Sequence, residues 1–143
     1  MDSSTTVPEK PIPYEVPEES PYWAAAAQHQ LALQRCTSCE KFVHPPRPGC
    51  PWCGNPDTTV VTLGEEITGR IYTFVTVHRA FDPSFAEDVP YVVALCEVDQ
   101  APGVRITANV IGDRDGIEVG HPVTMVWEER PGGFTAPQWT LVA

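Results

Sequence analysis

Apolar residues recur at every second position through most of the chain beyond residue 60. Val104, Ile106, Ala108 and Val110 alternate with Arg105, Thr107 and Asn109. A period of two places one set of side chains in a core and the other in water, which is a half-buried strand. The same reading predicts strands at Val60–Leu63, Ile67–His78, Tyr91–Val98, Val104–Ile111, Val123–Glu129 and Phe134–Val142. Turn residues separate them: Asp82-Pro83, 100–103, 112–116 and Pro131-Gly132-Gly133. Gly69, near the start of the longest run, marks a bulge or bend. Asp113–Val119 has room for one inserted helical turn. Several short strands without a long helix predict a small Greek-key barrel.

One strand departs from the alternation. In Tyr91–Val98 the face of Val92, Ala94, Cys96 and Val98 is apolar, and Tyr91, Val93 and Leu95 make the other face nearly so. A strand apolar on both faces is covered twice. Its cover is the N-terminal helix, the segment around the cysteines, or another protein.

The pattern is different ahead of residue 60. Residues 1–19 are rich in Pro, Glu and Ser without apolar periodicity, which reads as a mobile or partner-draped arm. Ser20-Pro21 resembles a helix start, with Ser as cap and Pro in the first turn. Tyr22, Trp23 and Ala24–Ala27 continue it for about three turns, to near Leu31. Tyr22 and Trp23 serve either to seat this helix on the rest of the chain or as an exposed anchor for a partner. Leu31–Gln34 enters the next segment as a short strand.

That segment is CTSCEKFVHPPRPGCPWCG, with two C-x2-C pairs, Cys36/Cys39 and Cys50/Cys53, ten residues apart. A pair at this spacing sets both sulfurs on one face of a tight turn. Two facing turns make the tetrahedral S4 cage of a structural zinc site. With all four positions thiolate, no coordination position remains for a catalytic water. The alternative of a redox dithiol at Cys50-Pro51-Trp52-Cys53 lacks the strand–helix setting such motifs use. Gly54 suits a left-handed turn after the second pair. The fifth cysteine, Cys96, sits mid-strand and reads as a buried structural thiol.

Charge narrows the function. The 143 residues carry a net charge of −10 with 42% apolar residues. Residues 64–143 hold five Arg, no Lys and twelve Asp or Glu, five less twelve giving −7, whereas residues 36–63 balance. Phosphate contacts need clustered Lys and Arg, so a nucleic-acid partner is not expected, although an OB-type barrel alone would suggest one. No apolar run reaches membrane-spanning length and the N-terminus has no signal-peptide pattern, so the expectation is a cytoplasmic protein without a membrane role. His78, Arg79 and Phe81 close the long strand and open the following loop. They form either an ordinary loop or a contact for phosphate, carboxylate or a partner. There is no Ser-His-Asp set, no phosphate-cradling Gly loop and no paired carboxylates, so no catalytic residue is assigned.

Taken together, Gln34-Arg35-Cys36, the cysteine segment, GRIYTFVTVHRAF, PYVVALCEVD and ITANVIG resemble one family over residues 20–143. These are the zinc-ribbon and OB-fold, acyl-CoA-associated proteins known as domain-of-unknown-function family 35. The resemblance implies a mainly β protein: an N-terminal helix region (20–35) after the arm (1–19), a rubredoxin-like ribbon (36–63) and a five-stranded OB-fold barrel (64–143). It implies one structural zinc on Cys36, Cys39, Cys50 and Cys53. It also implies a non-catalytic accessory subunit of a thiolase-like or aldolase-like acyl-CoA enzyme. The alternatives are a partner of a MaoC-like enoyl-CoA hydratase in steroid or lipid degradation, or a stand-alone acyl-CoA-binding module using Arg79 or Arg105. Glu40 stands where many such ribbons have Gly, which leaves ligation intact but its turn less suited.

Overall fold

A computed structural model describes residues 8–14 and 16–143. Helix α1 spans Ser20–Ala27, shorter than expected, and begins behind a 3-10 turn at Pro17–Glu19. That turn makes Glu19, not Ser20, the capping residue, and Ser20 Oγ instead donates to the Val16 carbonyl at 3.4 Å. The helix stops before Leu31 because His29 turns left-handed at φ 58°. His29 N–H donates to Ala26 O and Gln30 N–H to Ala25 O, the paired bonds of a Schellman cap. No glycine announces this stop.

The chain then enters a three-stranded antiparallel sheet, with β1 (Leu31–Cys36) between β2 (Phe42–Val43) and β3 (Thr58–Gly64). This small sheet faces two ways. Cys36, Val43 and Cys50 form its own cluster, while Leu31 and Leu33 are buried in the core of the barrel that follows. Ribbon and barrel therefore share one apolar interior through β1.

Five strands close the barrel: β4 (Thr68–Val77), β5 (Tyr91–Val98), β6 (Arg105–Val110), β7 (Pro122–Arg130) and β8 (Phe134–Leu141), in the order β4-β5-β6-β8-β7. All pairings are antiparallel except β6 with β8, which meet in parallel at Val110 and Trp139. Trp139 is fully buried, and its indole N–H donates to Ile106 O at 3.2 Å across that seam. This is the closure of an OB-fold.

The bulge lies at Tyr72, between Ile71 and Thr73, not at Gly69. Gly69 has a different reason. It pairs with Val98 on β5 and Val123 on β7, and a Cβ there would collide with the Glu97 carbonyl. The long strand turns the barrel corner at this close approach. The helical turn expected over Asp113–Val119 does not form; turns closed by Ile117 N–H to Arg114 O and His121 N–H to Glu118 O take its place. Each leaves too few residues between its Gly punctuation for a helix to nucleate.

Of the arm, residues 1–7 and 15 lie outside the described residues. Residues 8–14 run across the barrel of their own chain. Lys10 Nζ meets Asp88 Oδ2 at 2.8 Å and lies over the Phe85 ring, and Ile12 sits beside Gly132.

Candidate metal centre and docking edge

The metal site is built by two turns that bring four sulfurs together. Cys36 ends β1, Cys39 closes the first turn, and Cys50 and Cys53 bracket the second. Gly54 follows at φ 78°, and the chain reverses there without Cβ strain. All four Sγ atoms lie within 4.8 Å of one another. Cys36–Cys53 and Cys39–Cys50 approach to 3.5 and 3.6 Å, far beyond disulfide length, and all five cysteines are free. A tetrahedron with zinc–sulfur bonds of about 2.3 Å has edges of about 3.8 Å, so the quartet fits one zinc ion.

The surroundings favour thiolate at Cys36 and Cys50 and oppose it at Cys39, where the Lys41 amide is outweighed by burial and the neighbouring sulfurs. Burial opposes ionisation of Cys36, but the amides of Cys39 and Ser38 and the neighbouring sulfurs outweigh it and bring its pKa down to about 6. Both amides reach Cys36 Sγ at 3.4 Å, and Asn55 Nδ2 approaches it at 3.7 Å. Such N–H donors fix a ligating sulfur in place. Zinc held here would supply a crosslink and no open coordination position; Cys50 and Cys36 are buried, and only Cys53 is exposed. Cys96 is different: it is fully buried in the barrel, and burial pushes its thiol up to about 12. It is a core residue and no nucleophile.

Tyr22 and Trp23 point in different directions. Tyr22 is mostly buried, with its ring centroid 5.5 Å from His44 of the ribbon; burial raises its phenol pKa. Trp23 lies 5.2 Å from Phe134 of β8. The helix thus bridges ribbon and barrel through two adjacent aromatic residues. His44 is pushed by burial down to about 4, and its Nδ1 has no partner among the described residues.

His78, Arg79 and Phe81 stay together on the loop after β4. His78 and Arg79 are exposed, and the Arg79 guanidinium lies 5.4 Å from the ring of Phe81, which is 80% exposed. The loop behind them is braced. Asp82 Oδ1 accepts from Ser84 N–H at 2.8 Å and Ser84 Oγ at 2.6 Å, capping the 3-10 turn Pro83–Phe85. These bonds hold the Asp82 carboxyl below the usual carboxylate range. Phe81 is therefore exposed on a supported turn.

Sequence reasoning did not single out Tyr72 or Val75, which are also exposed, at 45% and 56%. Val75 pairs with half-buried Val93 on the outer face of the barrel. The bulge turns Tyr72 out under the Arg105 guanidinium, 3.9 Å from its ring centroid. Arg105 is thus already engaged with Tyr72 and, at 4.0 Å, with Glu97. Of the doubly apolar strand, Leu95 shares a groove with Tyr22, Trp23, His44 and the Pro45-Pro46 loop, while Val93 faces outward beside Val75. Its own chain covers one end, while Tyr72 and Val75 on β4 and Phe81 on the loop after it are left exposed. No helix among the described residues is long and apolar enough to cross a membrane.

Comparison with known proteins agrees with this architecture. Residues 23–59 match the family model described as "ChsH2, rubredoxin-like zinc ribbon domain" and residues 61–128 that described as "ChsH2, C-terminal OB-fold domain". A relative from Thermomonospora curvata, named "Probable enoyl-CoA hydratase alpha subunit", is 39% identical over 122 residues. The match takes in 83% of this chain but 36% of that protein, so the chain spans about a third of the length of the curated relative. A solved structure described as "Ltp2-ChsH2(DUF35) aldolase" is 34% identical with a TM-score of 0.80, covering 92% of this chain and 100% of that one. The single-zinc quartet, the five-stranded closed barrel and these matches place the chain in the ChsH2 family of zinc-ribbon and OB-fold proteins.

Proposed function

We propose that this chain is a non-catalytic accessory subunit of an acyl-CoA enzyme. It docks on an aldolase-like enzyme of the thiolase superfamily, stabilises it and helps enclose its acyl-CoA substrate. The observation that carries this reading is the 34% identity, along the whole of the matched chain, to a protein in the "Ltp2-ChsH2(DUF35) aldolase" structure. The exposed side chains of Tyr72, Val75 and Phe81 offer apolar surface for docking. Aromatic residues with a neighbouring Arg dominate docking energetics, and a braced turn loses little freedom on binding.

The test is co-purification with a thiolase-like or aldolase-like protein encoded beside this chain. Co-elution is expected, with Phe81→Ala weakening the complex by about tenfold or more. Separate elution, together with full activity of the enzyme alone, sinks the proposal. A second reading, partnership with a MaoC-like enoyl-CoA hydratase, is favoured by the name of the Thermomonospora curvata relative. Co-purification with a hydratase in place of the aldolase would select it.

A further inference from the structure

A second site lies at one end of the barrel, away from the metal. Here the loop between β4 and β5, the ends of β6 and β7, Gln138 of β8 and the start of the β6–β7 connection surround a cleft of about 210 Å³. Lys10, Arg114, Arg130, Tyr91, Asn109 and Gln138 line it, with Asp88 and Glu128 among them. The chain has nine basic residues against nineteen acidic ones, yet three of the nine meet here and outnumber the two carboxylates.

The charges are not equally free. Asp88 is taken by Lys10 at 2.8 Å. Glu128 Oε1 accepts from Arg130 Nε and from Gln138 Nε2, both at 3.0 Å. Gln138, 4% exposed, completes its bonding by accepting the Asn109 N–H at 2.7 Å, so the floor is fixed. Arg114 remains. Its Nη2 donates to the Pro90 carbonyl at 3.3 Å, and among the described residues no carboxylate lies within ion-pair distance. A guanidinium has five N–H donors in a planar fork that matches carboxylate and phosphate oxygens. Lys10, paired with Asp88, reaches the cleft from outside the barrel and forms its rim.

We propose that this cleft binds a small carboxylate- or phosphate-bearing ligand, anchored by Arg114 and enclosed by Lys10. At about 210 Å³ it is smaller than the roughly 300–1,000 Å³ of sites for drug-sized ligands and cofactors, which points to an anion of a few heavy atoms. It does not depend on any enzyme partner.

The zinc-loaded chain, titrated in separate arms with inorganic phosphate and with acetate at constant ionic strength and followed by amide NMR, tests this. Saturable shifts at Asn109, Gly112, Arg114 and Gln138 are expected in at least one arm, and the arm that responds identifies the anion's chemistry. Arg114→Gln weakens binding by about tenfold or more, and Arg114→Lys, keeping charge without the fork, by severalfold. Arg47→Gln, on the ribbon, leaves it unchanged. Absence of saturable shifts in both arms overturns the proposal. So does equal affinity in the wild type and Arg114→Lys, or equal weakening by Arg47→Gln, which would mean bulk charge alone.

Discussion

Trp23 of α1 lays its indole against Phe134 at the start of β8, ring centroids 5.2 Å and planes 57° apart. The same indole donates to Glu19 Oε1 at 3.3 Å, fixing its rotamer along the helix. This contact ties the N-terminal helix to the barrel. Trp23→Ala should therefore destabilise the isolated chain by about 2–3 kcal/mol, below the range for a fully buried Trp because the ring is half-exposed. Trp52→Ala, on an exposed knuckle, should change stability by less than about 0.5 kcal/mol. Urea unfolding of both variants decides between packing and partner-anchoring roles for Trp23. A neutral Trp23→Ala would leave only the anchor.

Zinc should be felt beyond the ribbon. Because Leu31 and Leu33 belong to the barrel core, losing the metal loosens β1 and exposes apolar surface of the barrel. Elemental analysis should give one zinc per chain. Cys50→Ser should lower the melting temperature on the order of 10 °C, since metal binding in such sites is folding energy. A melting temperature unaffected by chelation would show that the ribbon folds without its ion.

Glu40 adopts a left-handed φ of 64° in the first cysteine turn, where glycine is free of strain. Its side chain offers only an exposed ion pair to Arg35 at 3.3 Å, and the bond from Arg35 Nε to its carbonyl survives substitution. Glu40→Gly should stabilise the zinc-loaded chain by about 0.5–1 kcal/mol, the relief of strain exceeding the exposed pair. Thermal melts with zinc in excess measure it; a lower melting temperature contradicts the account.

His44 predicts a dependence on acid. Burial lowers its pKa from 6.5 to about 4, so the folded state keeps it neutral while the unfolded chain takes up a proton below 6.5. Its contribution is fully present above pH 6.5 and is lost as pH falls from there toward 4, where the folded ring protonates as well. The full drop bounds the loss at about 3 kcal/mol, and solvent at the partly exposed ring reduces it to about 1–2 kcal/mol. Glu19 and Arg105 line the same groove, with the Tyr22 ring tilted against His44 at 39°. Acid also strips zinc, so the comparison is between proteins: His44→Phe should lose less stability than wild type between pH 7 and pH 5. Identical slopes refute the assignment.

What the sequence carried most clearly was periodic or chemical. Tyr91–Val98 is a strand to the residue, and the alternation from Val104 to Val110 matches β6 within one position. The cysteine spacing yields the quartet directly. The misread details depend on tertiary geometry. The helix ends at His29 because a non-glycine residue turns left-handed, which composition does not signal. The bulge falls at Tyr72 because Gly69 is reserved for the Glu97 carbonyl. Lys10 and Ile12 bind the barrel through partners some 80 and 120 residues away, beyond the reach of any local pattern.

The parallel seam between β6 and β8 has a practical corollary. Its strands are not neighbours in the chain, nor are those of the β4–β7 joint, so both joints close later than the local antiparallel hairpins. Trp139 sits at that seam, shielded from water, while Trp52 is exposed. The fold thus carries an intrinsic reporter at one of its two non-local joints: Trp139 adds its blue-shifted indole emission as the barrel closes around it.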